Sequence, residues 1–332
     1  ASWPSGYYFV NFRLRADTSV QYNLPLLLRA RETPARLVLV APTNTWQAYN
    51  TYGGRSNYVD RVTPVDLRYL FLLFRRSAPG LAPYTYLPRR RPFSHPVNRA
   101  AFRDDWAGLE GKISADLSLV NFLEERRIPY DVISDETFAR YEGLDSATLV
   151  LFSNHSEYWS YAGMGVLRQL MDRGVSVLFL SGNNMYRGVE WLKGETMLVT
   201  EPVKDRAPVE RLLGTFYTEA GYGEAWSPYR VVDTAHWSML GTGLRPGDTF
   251  GGPSASGIET DKMGPFAEGF RLLAVGDNAA GGAHLVLKDF PAGNFLCNTS
   301  SIASWRGVRD DPAFRRFVLN LFVRSGVLTD PL

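Results

Sequence analysis

Three stretches of this 332-residue sequence bring together side chains able to do chemistry. The first is Ser153-Asn154-His155-Ser156-Glu157-Tyr158-Trp159, which follows the apolar run Thr148-Leu149-Val150-Leu151-Phe152. A turn that only had to reverse the chain would draw on Gly, Pro, Asn or Asp. This one offers an imidazole, a carboxylate, a phenol and an indole. His155 and Glu157 stand two apart and project to one side if the backbone there is extended. Glu157 suits a hard metal ion, a general base or an ion pair with arginine. His155 suits acid–base work or a structural hydrogen bond.

The second stretch runs from Pro42 to Ser56 and carries Trp46, Tyr49 and Tyr52. These rings either cover a sheet edge or wall a pocket. A phenolate ligand here requires a strongly Lewis-acidic ion, because tyrosine ordinarily ionises near pH ~10. The third is Ser181-Gly182-Asn183-Asn184, where Asn183 occupies a position like that of a nucleophile elbow. It carries an amide where an acyl-transfer nucleophile needs a hydroxyl or thiol, which points to an orienting or oxyanion-stabilising role.

The elements that must position these residues follow from hydrophobic periodicity. Residues 35–40, 130–133, 148–152 and 175–180 read as strands, and Tyr7 to Arg15 as an edge strand. Helical patterns fall from Lys112 to Arg127 and from Tyr161 to Arg173, with Gly174 as terminator, and over Pro312 to Arg324. A short helix is capped by Asp135, with Phe138 and Tyr141 on one side. Strands alternating with helices predict an α/β fold with a largely parallel sheet flanked by helices. The half after residue 190 is Gly-rich and reads as irregular and antiparallel. In such a sheet ligands bind at the carboxyl ends of the strands, so the three stretches converge on one edge. No linker separates independent units, which predicts a single domain over 1–332. A strand and loop cap (1–105) and an α/β core (106–190) precede a C-terminal extension (191–332) packed on that core.

With 45% apolar and 21% charged residues the chain is globular. A formal charge of +2, with no like-charge block longer than Arg89-Arg90-Arg91, gives no reason to expect nucleic acid. The longest apolar run, Tyr69 to Phe74, falls far short of the ~20 residues that span a bilayer, so a soluble protein, cytoplasmic by preference, is expected. The only cysteine, Cys297, excludes an internal disulfide and a cysteine-based metal cluster. A chain opening at Ala1 without an initiator Met is expected to be a processed form or a piece of a longer protein.

Pro42-Thr43-Asn44-Thr45-Trp46-Gln47-Ala48-Tyr49-Asn50 followed by Gly53-Gly54-Arg55-Ser56 resembles the catalytic region of the N,N-dimethylformamidase large (beta) subunit. His155-Ser156-Glu157-Tyr158-Trp159, Gly182-Asn183, His236-Trp237, Gly241-Thr242-Gly243-Leu244 and Phe250-Gly251-Gly252 are similar in the same order, over nearly the whole chain. The resemblance implies a fold similar to class I glutamine amidotransferases without the cysteine nucleophile, and lacking the lectin-like region of longer relatives. It implies a mononuclear Fe(III) ion held by two tyrosines and a glutamate, with hydrolysis of small linear amides by metal-activated water. By motif, Glu157 and Tyr49 match metal ligands. His155, Asn183 and Glu259 match catalytic polar residues, and Trp46, Tyr52, Tyr158, Trp159, Asn184 and His236 line the substrate pocket. Phe93 stands where the family has its second tyrosine, leaving Tyr84 or Tyr86 to serve, and Glu201 stands where it has a lysine, with Lys204 nearby. A small amide substrate and a homo-oligomer or small accessory subunit are the implied partners. Two other readings stay open, namely a metal-free hydrolase or lyase on the same scaffold and a non-catalytic ligand- or subunit-binding module.

Overall fold

The computed structural model describes residues 3–29, 34–54, 56–58, 85–93, 113–203, 205–218, 226–279 and 281–330. Strands β1 (Gly6–Arg13) and β2 (Gln21–Leu28) form an antiparallel hairpin. Next, β3 (Leu37–Ala41) runs into helix α1 (Thr43–Tyr49). After β4 (Tyr86–Pro88) come α2 (Ile113–Glu125), β5 (Tyr130–Ser134), α3 (Asp135–Ala139), β6 (Leu149–His155) and β7 (Tyr158–Trp159). Helix α4 (Tyr161–Asp172) leads to β8 (Ser176–Gly182), β9 (Arg187–Leu192) and β10 (Thr196–Pro202). The later half holds α5 (Ala207–Leu213), β11 (Thr215–Tyr217), β12 (Tyr229–Val231), β13 (Thr249–Phe250), β14 (Asp261–Met263), β15 (Arg271–Gly276), β16 (His284–Asp289) and β17 (Phe295–Asn298). Helices α6 (Ser304–Asp310) and α7 (Pro312–Arg324) follow.

A nine-stranded sheet in the order β13-β12-β15-β16-β17-β8-β6-β3-β5 forms the frame. The strands from β5 to β17 pair in parallel, and those from β17 to β13 pair antiparallel. This corrects the expected fold class. The sheet is mixed, the smaller sheets are antiparallel or mixed, and no largely parallel sheet of the class I glutamine amidotransferase kind is built. The reason lies after β8. The later strands are joined by turns such as Asn278 to Gly281 and Phe290 to Gly293, and a chain returning through a tight turn must pair antiparallel.

In β3, β6 and β8 the runs LVLVA, LVLFSNH and SVLFLSG are buried at every position, as strands covered on both faces require. Alternate residues serve opposite sides. Leu37, Leu39, Leu149, Leu151, Leu178 and Leu180 pack with α2 and α7, whereas Val38, Val40, Val150, Phe152, Val177 and Phe179 pack with α3, α4 and α5.

Two local expectations change. The stretch after β3, read as a long loop, contains α1. Its short length and polar-aromatic composition give no apolar stripe. Its first turn is closed from 91 residues away, where Asp135 Oδ2 accepts the Asn44 N–H at 2.8 Å. Asp135 was expected to cap α3, but Ser134 does so, accepting the Thr137 N–H at 3.2 Å. Residues 67–74 lie outside the described residues. Among the described residues no helix is long and apolar enough to cross a membrane.

Beneath the sheet's carboxyl edge, Asp116 on α2 accepts from Ser153 Oγ (2.8 Å) and Trp46 Nε1 (3.1 Å). Burial pushes this carboxyl up from 3.8 to about 8, although both donors pull it down. The folded chain therefore holds a proton that the unfolded chain releases near its ordinary value. The associated stability is complete below pH ~4 and is lost as pH rises toward about 8. Asp116→Asn, a neutral isostere able to meet both partners, is expected to flatten this decline. Melting temperatures at pH 5 and pH 8 check it, and an unchanged difference between them would refute the assignment.

Candidate active site at the carboxyl edge of the sheet

Tyr49 closes α1, His155 ends β6, Glu157 sits between β6 and β7, and Asn183 follows β8. Adjacent parallel strands end level with one another, so these residues converge. Loop residue Glu259, just before β14, comes in from the later half. Glu157 is 2% exposed. Its Oε2 accepts from Tyr49 Oη at 3.1 Å, and Tyr58 Oη lies 2.9 Å from Oε1 and 3.1 Å from Oε2. Tyr158 Oη stands 2.8 Å from both Tyr58 Oη and Asn57 Oδ1, extending a chain of hydroxyls that ends on Glu157. His155 Nε2 lies 2.7 Å from Glu259 Oε2 and 3.3 Å from Glu157 Oε2, so one imidazole bridges two carboxylates.

The electrostatics follow from depth. Burial pushes Glu157 up to about 7, partly offset by His155. Burial also acts to raise Glu259, but the charge and hydrogen bond of His155 outweigh it and hold this carboxyl below its ordinary value. Tyr49 and Tyr58 are raised well above their usual value by burial first and by Glu157 second, so both are neutral phenols when no cation is present. Tyr58 has a ring edge in solvent, 41% exposed, while its hydroxyl points inward.

The backbone is strained at this edge. Asn154, Asn183, Met185, Glu259 and Ser300 all adopt left-handed φ, between 51° and 60°, a conformation uncommon for non-glycine residues. Gly182 is required by close approach. A Cβ there would lie 2.6 Å from both Glu259 O and Ile302 N, which are backbone atoms. Gly182→Ala is therefore expected to displace the Glu259 segment and cost about 1–3 kcal/mol through overpacking. Its melting temperature checks this, and a wild-type value would overturn it.

Of the two roles read for Asn183, orienting or oxyanion-stabilising, its side-chain contact fits the first. Its Nδ2 is committed to Glu259 Oε2 at 3.1 Å, an assignment forced because a carboxylate only accepts. The backbone N–H groups of Asn183 (2.8 Å) and Asn184 (3.3 Å) both donate to Asp261, whose carboxylate fills the place an oxyanion would take. What remains on Asn183 is a buried acceptor, Oδ1, without a hydrogen-bond partner among the described residues. No helix follows Asn183 either, since the chain turns into β9.

Other expected site residues fall elsewhere. Trp46 and Trp159 are core residues, the first anchored on Asp116 and the second stacked among Phe138, Phe152 and Phe179. Asn184 sits behind the site, its amide held by Asp261 and Asn298. Tyr52 is 49% exposed in the turn after α1, its N–H bonded to Asn50. His236 lies at the opposite edge of the sheet, its ring nitrogens 2.9 Å from Ser238 Oγ and from Asp289 at the end of β16. Tyr86 projects from β4 and is 53% exposed. Phe93 packs edge-on against Trp46. Tyr84 and Lys204 lie outside the described residues, and Glu201 falls in β10. Tyr58, which sequence reasoning missed, is separated from Glu157 by 99 residues. The only local signal was its place nine residues after Tyr49.

Among the described residues no group of three or more His, Cys, Asp or Glu side chains could hold a metal ion. The oxygen set Tyr49, Tyr58 and Glu157 is another matter. Its hydroxyl–carboxylate separations of 2.9–3.1 Å are those of neighbouring ligands on one ion with metal–oxygen bonds of about 2.0–2.2 Å.

The family described as N,N-dimethylformamidase beta subunit-like, C-terminal, matches residues 1–201. That span contains Tyr49, Tyr58, His155, Glu157 and Asn183, while Glu259 and Asp261 lie beyond it. Among solved structures, the chain is similar to the "mmIFT52 N-terminal domain" at 11% identity and a TM-score of 0.41, covering 62% of this chain and 89% of that one. It is also similar to a thua-like protein from Bacteroides uniformis at 11% identity and a TM-score of 0.43, covering 64% and 84%. Likeness at this level carries no functional argument. No curated protein matches the chain.

Proposed function

We propose, from the premise that this chain belongs to the N,N-dimethylformamidase beta subunit-like family, that it is a hydrolase of small linear amides. The observation that carries this reading is the convergence of two tyrosine hydroxyls on Glu157, with His155 bridging Glu157 and Glu259. Tyr49, Tyr58 and Glu157 are the residues that would hold a single hard cation, Fe(III) being the ion the family resemblance implies. Bound there, it would supply Lewis acidity toward a carbonyl and toward water.

The rest is the work of the chain itself. Thr45 Oγ1 receives the Glu157 N–H (3.3 Å) and the Glu157 carbonyl receives the Arg187 N–H (3.0 Å), so the backbone holds the carboxylate in place. Glu259, kept ionised by His155, is the general base that takes a proton from the attacking water. That proton passes to the amine nitrogen as the C–N bond breaks, giving a carboxylic acid and an amine. Asn183 Oδ1 accepts from the water or the departing N–H.

A second reading rests on the 2.7 Å His155–Glu259 contact, which could act on water with no metal. Elemental analysis of the purified protein, together with amine release from formamide, acetamide and N,N-dimethylformamide, tests both. Stoichiometric iron and turnover abolished by a chelator are expected. Chelator-insensitive turnover would favour the second reading, and no turnover of any amide would sink the hydrolase.

A further inference from the structure

Arg187 opens β9, with its backbone paired beside Tyr158. Its side chain is only 11% exposed, and its Nε is buried without a hydrogen-bond partner. The nearest carboxylate oxygen, Glu157 Oε1, lies 3.7 Å from that Nε, beyond hydrogen-bond reach. Among the described residues the guanidinium makes no hydrogen bond. It faces the phenols of Tyr58, Tyr158 and Tyr186 and the flank of Glu157. A buried guanidinium ordinarily forms bidentate pairs, and leaving its donors unmet is costly. A sequestered fork of this kind, lying between Glu157 and the partly exposed Tyr58, is matched by a ligand carrying a planar anion.

The charge balance points the same way. Here the inference rests on the metal-site reading above. Two phenolates and the Glu157 carboxylate neutralise a trivalent cation, and His155 with Glu259 forms a second neutral pair. Among the described residues at the site, Arg187 is then the cation left over. We propose that Arg187 recognises a carboxylate on the substrate, so that the amide this site takes is a small linear one bearing a negative charge. Arginine suits this task better than lysine because its rigid fork meets both carboxylate oxygens at once.

Calorimetric titration of the purified protein with succinamate and with butyramide tests this, since the two differ by a carboxylate in place of a methyl group. Succinamate is expected to bind at least about tenfold more tightly, with the advantage shrinking as salt is raised. Arg187→Gln is expected to bring the two ligands within twofold of each other. Arg187→Lys, which keeps bulk and charge, is expected to retain part of the preference. Near-ultraviolet circular dichroism shows that each variant is folded. Equal binding by the wild type overturns the proposal without any variant, as does a preference that survives in folded Arg187→Gln. Metal content and ammonia release are read on the same samples. Hydrolysis without carboxylate preference would sink only this inference, and preference without hydrolysis would sink only the hydrolase.

Discussion

On the metal-dependent hydrolase proposed above, replacing Glu157 by Gln is expected to yield a folded protein that no longer retains iron and has lost at least about 10³-fold of its amide hydrolysis. Four groups depend on that carboxylate, namely Tyr49, Tyr58, His155 and Arg187. A neutral amide in its place cannot anchor a hard cation or balance the charge of two phenolates. Loss of an outer partner of a metal site costs roughly 10–100-fold in affinity or activity, and a direct ligand should cost more. Folding should survive for a separate reason. Burial already pushes the Glu157 carboxyl up to about 7, so its neutral form is the one the folded interior favours. The sign follows from linkage. Any stability tied to this group in the metal-free site is complete below its ordinary value and is lost as pH rises through about 7, so at pH 8 the variant should melt no lower than the metal-free wild type. Elemental analysis, turnover and a melting curve on one sample decide the matter. A variant that keeps both metal and activity would remove Glu157 from the centre of the site.

Tyr58→Phe is expected to weaken metal retention by roughly 100-fold, with activity falling in parallel. The lost atom is the hydroxyl lying within 3.1 Å of both Glu157 oxygens. The ring, tilted 36° against Tyr49 with centroids 4.4 Å apart, stays in place and preserves the packing. A phenol raised well above its usual value by burial ionises only if a cation offsets that cost. The readout independent of turnover is therefore the visible phenolate-to-metal absorption band, which should weaken and shift. Tyr86→Phe is the control. Its side chain is 53% exposed on β4, and iron content should not change. If Tyr86→Phe rather than Tyr58→Phe loses metal, the ligand set drawn here is wrong.

The contrast between Tyr58 and Tyr86 shows how far a linear reading reaches. Glu157, His155 and Asn183 stood out because each follows a run of buried apolar residues, and strands of that kind place their exits along one edge. Tyr58 did not stand out because nothing within ten residues of it marks its partner. The family resemblance put His236 in the substrate pocket beside His155, yet it pairs with Asp289 at the far edge of the sheet. Asn183 was read as an orienting or oxyanion-stabilising residue because its local pattern resembles an elbow. The carboxylate of Asp261, 78 residues away, takes its backbone N–H.

By itself the sequence determined the parallel strands β3, β6 and β8, whose continuous Val, Leu and Phe runs demand burial on both faces, and the shorter β5 beside them. It also determined that Glu157 and His155 emerge together at a strand end, since two-residue spacing in extended chain sets their common side. Only the tertiary structure decided the remainder. The antiparallel strands of the glycine-rich half complete the same sheet, because their tight turns permit no crossover. The stretch carrying Tyr49 becomes a helix, because Asp135 closes its first turn. Tyr58 meets Glu157, and Glu259 meets His155, through contacts spanning about a hundred residues. Local periodicity records which face a side chain must hide, but it holds no trace of the distant group that satisfies a buried hydroxyl or carboxylate.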